Sequence, residues 1–283
     1  SKSISMFTVS VLGPLGTYTH EVRLSDALNS VSTSFFNRLP TNCSEQTPYL
    51  GLVPQENSIF GSVVETYDSL RNIGFVRGEI TLAVQHCLLV KPGVKLHDIE
   101  KILSHEQALG QCSDFIRVHF PHASLVKTSS TAAAARCLLE NPPNCAAICS
   151  RVCAILFGLT ILSEGIQNEA ANFTRFYLIA RDQDVTIPEA AYEKDSNRGL
   201  VRVSLEASRS PSQTISKILA ILDMEVLRID RRPSLQSNFS NIYFVEIQAN
   251  PVQQGREIWL FNASQAVQRI EGAGGDAQLI GLW

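Results

Sequence analysis

Residues 101–118 read KILSHEQALGQCSDFIRV, which is a short apolar strand, a polar turn and an amphipathic helix in direct succession. The same order recurs nearby, where a strand predicted over residues 123–126 precedes an alanine-rich helix over 132–139 that Ser130 and Thr131 cap. Strands that alternate with helices predict an α/β fold with a largely parallel sheet. Turns that connect a strand to a following helix often contain small-ligand sites, because helix N-termini bind anions and the carboxyl ends of strands border open crevices.

The pattern extends on both sides of this stretch and then changes. Further strands are predicted over residues 7–12, 47–53, 80–90 and 173–180, and further helices over 17–28 and 62–70. A polar stretch without periodicity, residues 181–198, indicates a linker. After the linker, strands and helices are predicted in the order βαββαβ over 200–205, 212–222, 226–230, 242–247, 257–270 and 278–282. That order is the ferredoxin-like unit, and it predicts a binding or regulatory module.

Composition narrows the class of protein. The chain has 283 residues, of which 45% are hydrophobic and 18% charged, so it predicts about two folded domains and excludes general disorder. The formal net charge is −3, and no basic run would attract nucleic acid. The clean apolar stretch at residues 152–162 has about half of the ~20 residues that a membrane span needs. The N-terminus lacks the apolar core of a signal peptide, which favours a cytoplasmic location.

The cysteines argue against both disulfides and metal. Seven cysteines, an odd number, are scattered along the chain, which favours reduced thiols in the cytoplasm. Cys145, Cys149 and Cys153 would share one face of a helix and so resemble a metal site. Zinc sites generally use two-residue gaps between paired cysteines and a fourth ligand nearby, and neither feature is visible. We therefore expect buried thiols and no bound metal.

Polar turns are the candidates for chemistry. Four of them stand out in the first domain: GPLGTYTH at 13–20, VPQENS at 53–58, SHEQ at 104–107 and NFTRF at 172–176. Each is weak alone, because such turns are most often ordinary turns or helix caps. Together with Ser130 to Ala134, in this order and at these spacings, they resemble the prephenate dehydratase family over nearly the whole chain.

The resemblance implies a domain organisation. It implies a two-lobed catalytic domain with a fold like that of periplasmic binding proteins, followed by a ferredoxin-like ACT regulatory domain that binds amino acids. The expected bounds are 6–182 for the catalytic domain (lobes 6–82 with 172–182, and 83–171), 183–198 for the linker and 199–283 for the ACT domain. No chorismate mutase segment is visible ahead of the catalytic domain, so a monofunctional enzyme is expected. The family also suggests a homodimer or homotetramer.

The resemblance further implies a reaction without a cofactor. Prephenate would lose carbon dioxide and its ring hydroxyl to give phenylpyruvate, a step of phenylalanine synthesis that aromatisation drives. The expected catalytic residues are Thr174, Glu56, Asn57, Ser104 and Gln111. The expected substrate-binding residues are Thr17, Ser130, Thr131, Arg175 and Phe176. By resemblance, Thr174 contacts the departing hydroxyl, and neutral donors such as Asn57 and Gln111 suit a doubly negative substrate.

Several roles stay open at this point. Arg175 could bind a substrate carboxylate or pair with Glu56 or Glu169. Phe176 is expected in the core, although it could pack against the substrate ring. Glu56 could be a general acid or an ordinary surface residue in a helix-capping turn. His86 is expected to be structural or exposed.

The expected effector site departs from the family pattern. Pro211, Ser212, Gln213 and Thr214 stand where the family has a Gly-Ala-Leu-Val-like turn, and Asp230, Arg231, Arg232 and Pro233 stand where it has a Glu-Ser-Arg-Pro turn. Feedback inhibition by phenylalanine is the resulting hypothesis. In the alternative, this domain only dimerises.

Two alternatives remain for the function of the whole chain. One is arogenate dehydration, although prephenate is favoured because no transit peptide is visible. The other is a catalytically silent amino-acid sensor.

Overall fold

The fold is known from a computed structural model that describes residues 8–12, 32–36, 49–71, 74–185, 197–205, 210–235, 240–249 and 256–283. The chain forms two compact units. Unit 1 comprises residues 1–40, 56–61 and 81–176, and unit 2 comprises residues 41–55, 62–80 and 177–283. In the described part of the chain, no helix is long and apolar enough to cross a membrane.

The elements are numbered in chain order. The described strands are β1 (Thr8–Leu12), β2 (Ser32–Phe36), β3 (Tyr49–Asn57), β4 (Gly61–Ser62), β5 (Phe75–Ala83), β6 (Cys87–Val90), β7 (Lys101–Ser104), β8 (Ser124–Lys127), β9 (Cys145–Cys149), β10 (Thr160–Glu164), β11 (Phe173–Ala180), β12 (Arg198–Ser204), β13 (Glu225–Pro233), β14 (Asn241–Gln248) and β15 (Asp276–Leu282). The described helices are α1 (Val64–Ser69), α2 (Glu106–Gln111), α3 (Ser113–His119), α4 (Thr131–Leu138), α5 (Arg151–Phe157), α6 (Pro211–Leu222) and α7 (Arg256–Gly272).

A five-stranded sheet organises unit 1, in the order β10-β6-β9-β7-β8. Strand β7 runs parallel to both β8 and β9, because helices α2 to α4 provide the crossovers that parallel pairing needs. Strand β6 is antiparallel to β9 and β10, so the expectation of a largely parallel sheet is wrong for this half of the sheet. In the same unit, β1 pairs in parallel with β2.

Both faces of the central strands of this sheet are buried. Along β6 the side chain of Leu88 packs into one apolar cluster and that of Leu89 into another, each with no exposed surface. All five residues of β9 are buried, which is why this stretch reads as a continuous apolar run. Cys145 and Cys149 lie on β9 and Cys153 on α5, so they do not share a helix face. Among the described residues, no cluster of His, Cys, Asp or Glu could hold a metal ion.

Unit 2 contains the ferredoxin-like motif. Its elements follow the order β12-α6-β13-β14-α7-β15, and the strands lie in the spatial order β13-β14-β12-β15 with antiparallel pairing. Its core includes Val201, Ile218, Val245, Trp259 and Ala266. The sheet continues through β5, β11 and β3. The predicted α/β fold with a C-terminal βαββαβ unit is therefore confirmed, whereas the predicted domain bounds stay a prediction.

Several predicted elements differ in detail. Residues 53–57, expected in a turn, continue strand β3, and the run predicted over 80–90 is two strands separated by Val84, Gln85 and His86. The helix predicted as far as Val118 breaks at Cys112, whose ψ of 16° departs from helical geometry. Strands β2 and β10 are not predicted from the sequence. The helix predicted over 17–28 lies outside the described residues.

Candidate active site

Asn57 occupies the centre of a hydrogen-bond cluster in unit 1. It is the last residue of β3, and its Nδ2 donates to Thr174 Oγ1 at 3.0 Å and to Asn172 Oδ1 at 2.8 Å. Its Oδ1 accepts from the backbone N–H groups of Ile59 and Phe60, at 3.0 and 3.1 Å. The backbone of the residues that follow Asn57 therefore holds the oxygen of the carboxamide, while Thr174 and Asn172 hold its nitrogen. The donor that faces Thr174 is therefore fixed before any ligand binds.

Thr174, the second residue of β11, is 9% exposed. Among the described residues, its hydroxyl accepts a hydrogen bond from Asn57 and donates none. A threonine hydroxyl has one donor hydrogen and two acceptor lone pairs. The hydrogen of Thr174 therefore remains available to a bound molecule, while the oxygen is anchored.

Arg175 points to the opposite side of the strand and pairs with Glu56. Arg175 Nη2 lies 2.8 Å from Glu56 Oε2, and the two side chains are 26% and 30% exposed. Of the carboxylates considered for Arg175, the structure thus selects Glu56. Glu56 lies within β3 and not in a helix-capping turn. Phe176 is only 1% exposed and belongs to the core.

A second polar group joins Gln111 to His86. Gln111 ends α2, and its Oε1 lies 2.5 Å from Nε2 of His86. His86 is 2% exposed, and its burial lowers the pKa of the imidazole, while the hydrogen bond to Gln111 opposes that shift. His86 is therefore a buried, neutral hydrogen-bond donor. From the sequence it was expected only to be structural or exposed.

The remaining predicted residues of unit 1 take mainly structural positions. Ser104 has no exposed surface, and its hydroxyl donates to the carbonyl of Ile148 at 2.6 Å. Ser130 caps α4, since its hydroxyl accepts from the N–H of Ala133 at 3.0 Å. Thr131 is the first residue of that helix. Thr17 lies outside the described residues.

The structure brings Glu56, Asn57, Thr174 and Arg175 together through two pairs that join β3 to β11. It also adds Asn172, which lies in the NFTRF stretch but was not among the predicted site residues. Asn172 is 1% exposed and accepts from Asn57. For His86, the only signal in the sequence was a polar residue inside an otherwise apolar run.

The predicted effector residues lie in unit 2. Residues 211–214 form the start of α6, where Pro211, Ser212 and Gln213 are exposed and Thr214 is buried. Residues 230–233 belong to β13 and are paired with β14, so the turn expected there is wrong. Pro233 is tolerated because it is the last residue of an edge strand.

Alternation along β13 divides the four residues between two faces. Asp230 accepts from Ser62 at 2.5 Å and from Arg228, and Arg232 makes two hydrogen bonds of 2.7 Å to Asp68. The pairing with Arg232 lowers the pKa of Asp68. Arg231 and Pro233, on the other face, are exposed.

Comparison with known proteins identifies the family. The prephenate dehydratase family model matches residues 9–184, which include every residue of the cluster around Asn57 and Thr174. The chain belongs to the prephenate dehydratase family. The bifunctional chorismate mutase/prephenate dehydratase of Escherichia coli K12 is 28% identical over 256 residues, which are 86% of this chain and 63% of that relative. The chain thus spans less than two thirds of the length of such relatives.

Two further proteins extend the comparison. Arogenate dehydratase 5 of Arabidopsis thaliana is 41% identical over 133 residues, which are 46% of this chain and 31% of that protein. The solved structure of prephenate dehydratase from Arthrobacter aurescens in complex with L-Phe has a TM-score of 0.76 and 26% identity. It covers 97% of this chain and 89% of its own. The similarity to this prephenate dehydratase therefore includes the ferredoxin-like part of the fold, which lies beyond the family match.

Proposed function

We propose that the chain catalyses the decarboxylating dehydration of prephenate to phenylpyruvate, water and carbon dioxide, as a step of L-phenylalanine synthesis. The observation that carries this proposal is the hydrogen bond from Asn57 to Thr174, which leaves the Thr174 hydrogen available. It lies within the segment that matches the prephenate dehydratase family.

The reaction needs a group that helps the ring hydroxyl to leave. As the bond from the ring to the carboxylate breaks, its electron pair enters the ring, and the bond from the ring to the hydroxyl breaks with its own pair. The departing oxygen takes up one proton and leaves as water. A threonine hydroxyl is too weak an acid to supply this proton unaided. Thr174 therefore relays it, donating its hydrogen to the departing oxygen while its own oxygen takes up a proton from solvent. Donation from Asn57 into Thr174 Oγ1 polarises the hydroxyl and makes it a better donor.

The substrate carries two carboxylates, and the predicted binding residues of unit 1 offer donors for them. The guanidinium of Arg175 has the planar fork that suits a carboxylate, and Glu56 holds it in place from one side. The start of α4 at Ser130 and Thr131 offers backbone N–H groups. Gln111 adds a neutral amide, which does not repel a dianion.

The proposal is tested by incubating the purified chain with prephenate and, separately, with arogenate. We expect phenylpyruvate and carbon dioxide in equal amounts from prephenate, at a rate well above spontaneous conversion. The likeness to an arogenate dehydratase supports arogenate as the second candidate substrate, and faster formation of phenylalanine from arogenate would select it. A folded chain that converts neither substrate would contradict both and leave the amino-acid sensor.

We also propose that the ferredoxin-like part, residues 199–283, is an ACT domain that binds L-phenylalanine and forms a homodimer or homotetramer. The related structure from Arthrobacter aurescens contains L-Phe, and the exposed face of β13 at Arg231 and Pro233 is accessible to a ligand.

We further propose a cytoplasmic location for the protein. The described cysteines are free thiols, which supports this location.

Inhibition by L-phenylalanine tests the regulatory part. We expect phenylalanine to lower the rate of prephenate turnover. We also expect Arg231→Ala to raise the concentration that gives half-inhibition without changing the uninhibited kcat. Lys217→Ala, which removes an exposed cation from α6, serves as the matched control. Turnover that is insensitive to phenylalanine would leave dimerisation as the role of this domain.

A further inference from the structure

We propose that His86 is a positioning residue that holds the Gln111 carboxamide with its NH2 group directed at the substrate. This inference rests on the proposed function. The contact that carries it joins His86 Nε2 to Gln111 Oε1 at 2.5 Å, and His86 is almost fully buried.

The chemistry of the two groups gives the hydrogen bond a direction. An amide oxygen can only accept, so Nε2 of His86 carries the hydrogen. With Oε1 accepting from His86, the donors that remain to Gln111 are the two hydrogens on its Nε2. Among the described residues, none accepts from this nitrogen. The carboxamide therefore offers two donors in one fixed orientation, which suits a carboxylate or hydroxyl oxygen of a substrate.

Burial keeps this orientation constant. Because the imidazole is desolvated, its pKa is lowered and the ring stays neutral at neutral pH. A glutamine side chain has large rotamer freedom when nothing holds it. The bond from His86 removes that freedom before the substrate binds.

The backbone around His86 ties Gln111 to the chain that leads into β11. The carbonyl of Gln111 accepts from the N–H of Asn168 at 2.6 Å, and the carbonyl of His86 accepts from Ile166 at 3.1 Å. Two residues before His86, the N–H of Val84 donates to the carbonyl of Asn172 at 2.7 Å. His86 thus lies on a short segment that contacts both Gln111 and the residue two positions before Thr174. This placement supports a role in the site and not only in the core.

A double-mutant cycle separates positioning from general stability. The four proteins are the wild type, His86→Phe, Gln111→Met and the double variant, all assayed with prephenate. We expect His86→Phe alone to lower kcat/KM about tenfold, the effect of losing one hydrogen bond. In the Gln111→Met background the same change should cost less than about twofold, because the group that His86 positions is absent. Equal losses in both backgrounds would overturn the inference.

Rescue and spectroscopy complete the test. His86→Gln restores a donor near the position of Nε2 and should recover most of the activity that His86→Phe loses. Nitrogen NMR of the wild type should show the Nε2–H tautomer for His86, with a shift of that signal in Gln111→Met. An Nδ1–H tautomer would contradict the proposal whether or not the chain turns over prephenate. An inactive wild type that shows the expected tautomer would instead contradict the proposed function.

Discussion

Thr174→Ala should lower kcat for prephenate by about 10²–10³-fold, the loss seen when one transition-state donor is removed from other enzymes. The hydroxyl is anchored by Asn57 at 3.0 Å and has its own hydrogen available, so its loss removes both the polarised donor and the relay. KM should change much less, because the substrate carboxylates bind elsewhere. Steady-state measurement of phenylpyruvate formation checks this result.

Two variants at the same position sharpen this prediction. Thr174→Ser keeps the hydroxyl and should retain most of the activity, whereas Thr174→Val keeps the shape and should be as inactive as alanine. Thermal unfolding of all three shows whether any loss reflects folding. A valine variant with the kcat of the wild type would remove Thr174 from the mechanism.

Asn57→Asp should lower kcat by at least about 10²-fold, although the side chain keeps its shape. The change replaces the Nδ2 donor by an oxygen that faces Thr174 Oγ1 and Asn172 Oδ1. The Thr174 hydroxyl would then donate to the new carboxylate and not to the leaving group. The added negative charge would also repel a dianionic substrate.

Ser58→Ala is the matched control for Asn57. The Ser58 hydroxyl donates to the carbonyl of Ala171 and accepts from the N–H of Phe173, so it joins the same two strands without touching Thr174. We expect this variant to keep a kcat close to that of the wild type, with a small loss of thermal stability. Similar losses of kcat in Ser58→Ala and Asn57→Asp would show that joining the strands, and not the donor to Thr174, is what matters.

The strands and helices with clear apolar periodicity could be predicted, because local pattern determines them. Strand β11, helix α6 and strand β14 lie within two residues of their predicted bounds, since their apolar periodicity is clear. The break between β5 and β6 could not be predicted. Gln85 and His86 interrupt the apolar run, but neither Gly nor Pro marks a turn between these strands. The strand that continues through Pro54 and Glu56 was hidden by residues typical of turns.

The types of residue at the site could be predicted from the sequence, but not which side chains contact one another. The Glu56–Arg175 ion pair joins residues 119 positions apart, and the sequence allowed Glu169 equally. The contact between His86 and Gln111 depends on how a strand connection meets the end of a helix. The roles of Asp230 and Arg232 were obscured for the same reason, because their partners Ser62 and Asp68 lie far away in the sequence. Long-range contacts of this kind follow from the tertiary fold and leave no periodic signal.

The most direct test of the account is a crystal structure of the Thr174→Ala variant with prephenate bound. The variant should bind the substrate and turn it over slowly enough for the complex to form. We predict that the ring hydroxyl of prephenate lies beside the methyl group of residue 174 and within hydrogen-bonding distance of Asn57 Nδ2, with a carboxylate on Arg175. Prephenate bound with its ring hydroxyl away from Asn57 and residue 174 would contradict the account.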